Sequence, residues 1–314
     1  GQMMLAGEYS VVTRGGSCIA VAVGPGVDVS FEPDDGPFRI TSEAVGLDNA
    51  EPSNLPLIAR ALETIDEQVG GLLTITSQLG AGETKPGLGA SAAVTISVIG
   101  AVNCALGRPL PTLREVTSLH QLAQGGLGSG YDAATSLVGG TLVFSNSSAG
   151  PEVAKLGWPD GLYAKAVSTG AGSSSRVLLK RKMNWARHHP RLNDHHEARM
   201  MNSTQELIAA WRTGGVDAIL TGLSNCQEAL GAMEKDASLG LFENRLGELL
   251  QHVEDAGAIG RVSGAGGGDS AWVFSVSPDS LERAIATTTK AGFKTLSLDF
   301  PAKGLEQVKE REHA

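Results

Sequence analysis

The sequence has few aromatic residues, and its charge is predominantly negative. Phenylalanine, tryptophan and tyrosine make up 4% of the 314 residues, so a surface of basic and aromatic side chains that stacks bases is hard to assemble. The formal net charge of −9 has a similar consequence, because most of the surface would repel a phosphate backbone. These deficits argue against a nucleic-acid partner. They do not argue against a nucleotide, which loops and a metal ion can bind through a local positive field.

Cysteine is also rare, and no apolar run is long enough to suggest a membrane partner. Cys18, Cys104 and Cys226 are widely spaced, which predicts neither a disulfide framework nor a zinc site and indicates a cytoplasmic location. The longest apolar run, residues 90–106, is interrupted by serine, threonine and asparagine and is shorter than a typical membrane span. We interpret it as a buried helix.

Glycine, in contrast, is abundant and clustered. The chain has 41 glycines in 314 residues, about 13%, against roughly 7% in average proteins. They concentrate at residues 80–89, 125–130 and 264–268. Because glycine allows positive φ and close approach of a ligand, the clusters predict three loops that contribute to a binding site.

The hydrophobic periodicity predicts strands and helices that alternate without regular βαβ periods, which favours an α+β fold. Thr112 and Glu115 form a capping-box pattern at the start of one helix, which runs to about Ala123. The predicted strands are Met3–Leu5, Ser17–Phe31 with a break at 24–26, Leu72–Ser77, Gly140–Phe144, Leu162–Ser168, Ser270–Val276 and Thr295–Asp299. The other predicted helices are Leu55–Gln68, Ala92–Leu106, Asp132–Leu137, 192–212, 215–233, 241–256 and Ser280–Ala291.

A linker is predicted near the middle of the chain. The segment Ser145–Pro151 is composed of serine, asparagine, alanine, glycine and proline, as linkers often are. We therefore expect an N-terminal domain at residues 1–150 and a C-terminal domain at residues 151–314.

The first glycine loop, residues 85–91, predicts phosphate binding. Gly87 and Gly89 can expose successive backbone N–H groups, and the following helix directs its dipole at the same point. Ser91 supplies a hydroxyl and Lys85 a positive charge. The segment is neither a Walker A nor a Rossmann motif. A tight turn before a buried helix is the alternative.

The second and third glycine loops are each followed by an acid. Asp132, directly after the second loop, can orient a substrate hydroxyl or accept its proton, or it can cap the next helix. The third loop, residues 263–269, ends in Asp269, and its minimal side chains suit close contact with a ligand or another loop.

Two polar clusters have competing interpretations. Ser173–Ser175 can hydrogen-bond a phosphate or begin a helix. The second cluster consists of four histidines and resembles a metal site. Neighbouring histidines in it point to different helix faces, however, so a solvated helix start is favoured. Its members are His188, His189, His195 and His196.

Taken in order, these motifs resemble the GHMP small-molecule kinase superfamily over nearly the whole chain. The stretch Met4-Leu5-Ala6-Gly7-Glu8-Tyr9 resembles the family's first motif, Pro86–Ala93 its ATP-phosphate loop, and Ser263–Asp269 its third motif. The finer details are most similar to phosphomevalonate kinase. They are Lys85 before the phosphate loop, His120 with Gln124-Gly125 before Gly128–Asp132, and Thr169-Gly170 before Ser173–Ser175.

The resemblance implies a two-domain GHMP kinase fold, with a ribosomal protein S5 domain 2-like N-terminal domain that binds ATP and a ferredoxin-like C-terminal domain. It implies a kinase that uses ATP and Mg2+ to convert 5-phosphomevalonate to 5-diphosphomevalonate, a step in isoprenoid precursor synthesis. The expected partners are small molecules only, and the expected assembly is a monomer or homodimer.

The resemblance also implies roles for particular residues. The catalytic residues would be Asp132, Lys85 and Gln2. The ATP-binding residues would be Lys85, Pro86, Gly87, Leu88, Gly89, Ala90, Ser91 and Ala92, with Ser91 also a candidate Mg2+ ligand. The substrate-binding residues would be Glu8, Tyr9, Ser129, Gly130, Ser174, Ser175, Arg176, Gly266, Gly267 and Asp269.

Two alternatives stay open within the resemblance. The acceptor can be a hydroxyl, as in mevalonate or a sugar, although His120, Gln124 and Lys85 favour the phosphorylated acceptor. The chain can also be a catalytically weakened paralogue that binds ligand only, because Gln2 stands where the family's first motif usually has lysine.

Overall fold

The computed structural model describes residues 1–63, 65, 69–79, 87–123, 126 and 128–308. The strands are β1 Gln2–Ala6, β2 Ser17–Ala22, β3 Val27–Pro33, β4 Phe38–Ser42, β5 Leu47–Ala50, β6 Gly71–Ser77, β7 Thr141–Ser147, β8 Gly150–Leu156, β9 Tyr163–Ser168, β10 Ile259–Val262, β11 Ser270–Ser275 and β12 Lys294–Leu296. The helices are α1 Pro56–Leu62, α2 Ala90–Ala105, α3 Leu113–Ala123, α4 Tyr131–Val138, α5 Ser175–His188, α6 Pro190–Thr213, α7 Val216–Ala237, α8 Leu246–Asp255 and α9 Pro278–Lys290.

The first sheet is antiparallel and has the strand order β1-β2-β7-β8. Met3 lies opposite Val21, and Ile19 lies opposite Val143. Every residue of β1 and β2 is buried. This double burial explains why both strands consist largely of apolar residues rather than alternating ones.

The second sheet has the order β3-β6-β4-β5, with β4 and β6 parallel. Helix α2 packs against β3. Val98 and Val102 of this helix share a core with Ile40 and Leu73 of the sheet. The packing therefore holds α2 rigidly, and the glycine loop before it ends on a fixed helix.

The third sheet is antiparallel, with the order β10-β11-β9-β12. Along the chain, β9 is followed by helices, then by β10 and β11, then by α9 and β12. This is the βαββαβ connectivity of ferredoxin-like folds, so the predicted ferredoxin-like arrangement is confirmed.

Helices α6 and α7 join the first sheet to the third. Leu207 of α6 and Leu223 of α7 belong to one core cluster with Ile19 of β2 and Trp272 of β11. The first glycine loop precedes α2, and the third precedes β11. Both loops are therefore attached to one packed core.

Most predicted elements are present, with shifted ends. The capping box is confirmed: the Thr112 N–H donates to Glu115 at 2.6 Å, and the Glu115 N–H donates to the Thr112 hydroxyl at 3.4 Å. The helix predicted at 241–256 begins later, at Leu246, because Asn244 and Arg245 have φ of 53° and 66°, which no helix accepts.

The predicted linker is wrong. Asn146 pairs with Pro151, and Ser147 pairs with Gly150, so Ser145–Pro151 is the turn of the β7–β8 hairpin. Its polar composition is that of a turn as much as of a linker. The division into two domains stays a prediction, and residue 150 itself lies within the hairpin.

Other elements were not predicted or extend differently. Strands β4, β5, β8 and β10 lie where no element was expected, and helix α5 begins at Ser175, as one of the two interpretations of Ser173–Ser175 predicts. The helix predicted at Leu55–Gln68 is described only as Pro56–Leu62, and residues 66–68 lie outside the described part. In the described part of the chain, no helix is long and apolar enough to cross a bilayer.

Candidate active site

The phosphate loop is described from Gly87 onward, so the predicted roles of Lys85 and Pro86 fall on residues that the structure does not describe. Gly89 has a φ of 65° and is the N-cap of α2. Helix geometry leaves the first N–H groups of α2 without intrahelical acceptors. Together with the helix dipole, they make this end of the helix suitable for an anion.

Gln2 connects β1 to this loop. Its N–H donates to the Leu88 carbonyl at 2.9 Å. Its side chain is 4% exposed, and a Cβ at position 89 would lie 2.5 Å from the Gln2 Nε2 atom. Position 89 therefore needs glycine for two reasons, the left-handed φ and the contact with Gln2.

Tyr131 connects Gln2 to the second and third loops. The Tyr131 side chain lies close to the Gln2 side chain. A Cβ at Gly264 would lie 3.9 Å from the Tyr131 Oη. Burial raises the pKa of Tyr131 well above its ordinary value, and the nearby Asp132 carboxylate raises it further. The phenol is therefore neutral, and it lies between the first motif and the third.

Asp132 follows Tyr131 in the first turn of α4 and pairs with His120 of α3. The His120 Nδ1 lies 3.0 Å from the Asp132 Oδ1, and the two side chains are 3% and 19% exposed. Burial by itself lowers the pKa of His120. The charge and hydrogen bond of Asp132 oppose that effect, and the net pKa is above the ordinary 6.5. The pair presents a partly exposed carboxylate with a fixed orientation.

The third loop is held against the first motif. The Ser263 hydroxyl accepts a hydrogen bond from the Met4 N–H at 3.1 Å, and the Tyr9 hydroxyl donates to the Ala265 carbonyl at 2.6 Å. Tyr9 is buried, which raises its pKa far above the ordinary value. The loop is thus attached to β1 and to the segment that follows it.

Asp269 is the last residue of the third loop and lies against the phosphate loop. A Cβ at Gly87 would lie 2.8 Å from the Asp269 Cβ. The Asp269 carboxylate accepts a hydrogen bond from the Ser173 N–H at 2.8 Å. Burial raises the pKa of Asp269, although the hydrogen bonds from Ser173 act in the opposite direction. The phosphate loop, the third loop and the segment before α5 therefore meet at one side chain.

Glu8 forms a buried ion pair. Its Oε2 lies 2.5 Å from an Nη of Arg261, which is 0% exposed. Arg261 also donates to the Leu5 carbonyl at 3.2 Å and to the Gln227 side chain at 3.1 Å. The Glu8 carboxylate is thus held by the protein, and its predicted contact with substrate stays a prediction.

The remaining predicted substrate residues lie at the start of α5, at the start of α4 and in the third loop. Ser174 is the N-cap of α5, and Ser175 and Arg176 follow it, all three exposed. Ser129 is buried and accepts a hydrogen bond from the Tyr131 N–H at 3.3 Å, while Gly130 is the N-cap of α4. The Gly266 carbonyl accepts a hydrogen bond from the Ser173 hydroxyl, and the Gly267 carbonyl accepts one from the Asn244 side-chain amide, each at 2.7 Å.

The histidine cluster does not form a metal site in the described part of the chain, where no three candidate ligands converge. His196 is buried and lies 2.8 Å from Asp236. The other three histidines, His188, His189 and His195, are exposed, as expected for a solvated helix start.

Sequence reasoning missed Tyr131 and Arg261 as site-building residues. Tyr131 had one available signal, its position directly before Asp132. Arg261 precedes the third loop by two residues, and a buried arginine requires an acid partner, but the sequence contains many acids and does not say which one.

The chain is similar to several known proteins. Residues 56–140 match the family model of the GHMP kinases N terminal domain. A mevalonate kinase from Pyrococcus horikoshii is 32% identical, covering 74% of this chain and 67% of that protein. A phosphomevalonate kinase from Streptomyces sp. is 26% identical, covering 86% of each chain.

The fold is shared with solved structures as well. Streptococcus pneumoniae phosphomevalonate kinase, solved in complex with phosphomevalonate and AMPPNP, superposes with a TM-score of 0.77. It is 16% identical and covers 95% of this chain and 97% of that one.

The chain belongs to the GHMP kinase family, and it is a phosphotransferase. The predicted family, enzyme class and GHMP kinase fold are thereby confirmed. Kinases of this family depend on ATP.

Proposed function

We propose that the chain transfers the γ-phosphoryl group of ATP to the phosphate of 5-phosphomevalonate. The observation that carries this proposal is the position of Gln2, whose N–H donates to the Leu88 carbonyl of the phosphate loop and whose side chain lies close to Tyr131. Through these contacts the phosphate loop adjoins the residue before Asp132. An anion site beside an oriented carboxylate is what in-line phosphoryl transfer requires.

The nucleotide would bind at the start of α2. The N–H groups of Gly87–Ser91 and the helix dipole would cradle the triphosphate. Ser91 is exposed in the first turn of α2, and its hydroxyl is an oxygen ligand of the kind that Mg2+ accepts. Mg2+ brought by the nucleotide would neutralise charge on the transferred group.

Asp132 would orient the attacking oxygen. A phosphate monoester has a second pKa of about 6, so near neutral pH it is already largely ionised and needs orientation more than deprotonation. A carboxylate alone would repel such an acceptor. His120, whose pKa is raised, would offset the charge of Asp132.

The acceptor phosphate has a suitable place at the start of α5. Ser174 caps this helix, and Ser175 and Arg176 in the first turn are exposed. Hydroxyls, a guanidinium and a helix N-terminus together favour a phosphate group. The similarity to the Streptomyces phosphomevalonate kinase over 86% of each chain supports the same acceptor.

Mevalonate is the second candidate acceptor. It is favoured by the 32% identity to the Pyrococcus mevalonate kinase. With a hydroxyl acceptor, Asp132 would have to accept the proton, which is a different task from orienting a phosphate.

A coupled assay of ADP release, run with ATP and each of phosphomevalonate, mevalonate and galactose, tests the proposal. We expect turnover with phosphomevalonate and little with the others. Asp132→Asn should lower kcat by about 10²-fold, because the acceptor is no longer held in the right orientation, whereas the control Asp35→Asn, in the exposed β3–β4 turn, should retain activity. Turnover of mevalonate but not of its phosphate would reject the proposed acceptor. AMPPNP binding without turnover of any acceptor would favour the ligand-binding paralogue.

A further inference from the structure

The carboxylate of Asp269 is hydrogen-bonded to the segment before α5. Its Oδ1 accepts a hydrogen bond from the Ser173 N–H at 2.8 Å, and its Oδ2 lies 3.1 Å from the Ser173 hydroxyl. The same hydroxyl lies 2.7 Å from the Gly266 carbonyl, so its proton is shared between two acceptors of the third loop.

The main chain of Asp269 is bonded to the same segment. Its carbonyl accepts a hydrogen bond from the Thr169 N–H at 2.9 Å, and its N–H donates to the Ala171 carbonyl at 2.6 Å. Thr169–Ser173 is thereby held at both ends by one residue. This segment leads directly into Ser174, the N-cap of α5.

The other side of Asp269 faces the phosphate loop. A Cβ at Gly87 would lie 2.8 Å from the Asp269 Cβ and 3.1 Å from both its Cγ and its Oδ2. This separation leaves no room for a side chain at position 87. A displacement of Gly87 by a bound nucleotide would therefore press directly on the Asp269 side chain.

Asp269 also has an unusual backbone conformation, with a φ of 56°. A left-handed conformation is uncommon outside glycine and persists where the surroundings enforce it, although aspartate and asparagine tolerate it best. Here the enforcing contacts are those to Ser173, Thr169 and Ala171. The conformation thus depends on the segment that Asp269 holds.

We propose that Asp269 is a positioning residue that couples the nucleotide loop to the acceptor-side segment Thr169–Ser173, so that each ligand strengthens the binding of the other. The inference rests on the proposed function, in which ATP binds at Gly87–Ser91 and the acceptor phosphate binds at Ser174–Arg176. Coupling between two sites is reciprocal, so it is measurable from either ligand.

Isothermal titration calorimetry tests the coupling. AMPPNP and phosphomevalonate are titrated into the protein separately, and each is then titrated in the presence of the other. For the wild-type protein we expect each ligand to tighten the other's Kd by about 5-fold or more, the lower end of typical couplings. Asp269→Asn should lower this factor towards one, because the amide tolerates the same φ but replaces one acceptor oxygen with a donor, so Asp269 and Gly266 no longer compete for the proton of the Ser173 hydroxyl.

Ser173→Ala is the milder variant. It removes the hydroxyl bonds to Gly266 and Asp269 but keeps the N–H bond, so it should lose part of the coupling factor. Asp34→Asn is the control for the first variant, since Asp34 likewise accepts from a backbone N–H, that of Gly36 at 2.7 Å, in an exposed turn. Ser147→Ala, in the β7–β8 turn, is the control for the second.

A merely structural role for Asp269 predicts that both separate Kd values weaken while their coupling factor stays at the wild-type value. That result, or a wild-type factor of one, overturns the inference. If Asp269→Asn does not fold, Ser173→Ala decides the question by the same criterion. Binding of mevalonate but not of phosphomevalonate overturns the proposed acceptor only, and the coupling factor is then measured with mevalonate. Failure of AMPPNP to bind overturns both proposals.

Discussion

At the scale of single residues, the protein environment sets the protonation state of a charged group in this site. Asp132 is partly exposed and faces the site, while its partner His120 is almost fully buried. A buried imidazole on its own prefers to be neutral, and a neighbouring carboxylate reverses that preference. The protonation state of His120 is therefore a direct measure of its contact with Asp132.

We predict that Asp132→Asn lowers the pKa of His120 to below its ordinary 6.5, because burial then acts without the opposing carboxylate. In the wild-type protein the pKa should lie above 6.5. NMR titration of the histidine ring signals measures both, and the signal missing from His120→Gln identifies the residue. An unchanged pKa in Asp132→Asn would show that the 3.0 Å contact does not set the charge.

The same shift has a consequence for stability. Because the folded-state pKa of His120 is above the unfolded value of 6.5, folding favours the protonated ring. The stabilisation by His120 is thus complete below pH 6.5 and is lost as the pH rises through the raised pKa.

At the scale of elements, the site depends on where three helices begin and end. His120 lies in the last part of α3, Asp132 lies in the first turn of α4, and the phosphate loop runs into the first turn of α2. The start of α3 is set by the reciprocal bonds of Thr112 and Glu115. This cap is exposed and is separated from the site by the length of the helix.

We predict that Thr112→Ala costs about 1 kcal/mol of unfolding free energy, the usual effect of losing an N-cap, and leaves kcat and KM unchanged. Thermal and urea unfolding with parallel ADP-release kinetics measure the two effects. Thr213→Ala serves as control, because the Thr213 hydroxyl only donates back to the Ala209 carbonyl at the end of α6. A loss of activity without a loss of stability would mean that α3 transmits the change to His120.

At the scale of the whole molecule, buried polar contacts join the two ends of the chain. The Glu8–Arg261 pair connects the segment after β1 with β10, across 253 residues of sequence. Both side chains are almost fully buried. Such a pair adds little to stability over an apolar pair, but breaking it leaves one charge unpaired in the interior.

We predict that Arg261→Met destabilises the fold by about 3–5 kcal/mol, because Glu8 is left buried and unpaired. Adding Glu8→Gln to that variant should recover part of the loss, since the remaining group is then neutral. Urea unfolding of the wild-type, single-variant and double-variant proteins measures the effect. A double variant less stable than Arg261→Met would contradict the explanation by an unpaired charge.

Local pattern was sufficient for most of the secondary structure. The apolar run of α2, the capping box of α3 and the strands around residues 17–31 follow from periodicity and capping rules that involve only near neighbours. Strands β4 and β5 were missed because they are short and only partly buried. The hairpin at Ser145–Pro151 was misjudged because turns and linkers share a composition.

The sequence alone indicated the family and the three glycine loops, with an acid after each of the last two. These are properties of short segments, and side chains of the right type at a fixed spacing are enough to show them. Only the tertiary structure decided that Gln2 lies under Gly89, that Glu8 is paired with Arg261 and that Asp269 lies between Gly87 and Ser173. The physical reason is distance along the chain: each of these contacts joins residues about ninety or more positions apart, and their geometry is set by the packing of helices and sheets that no local pattern records.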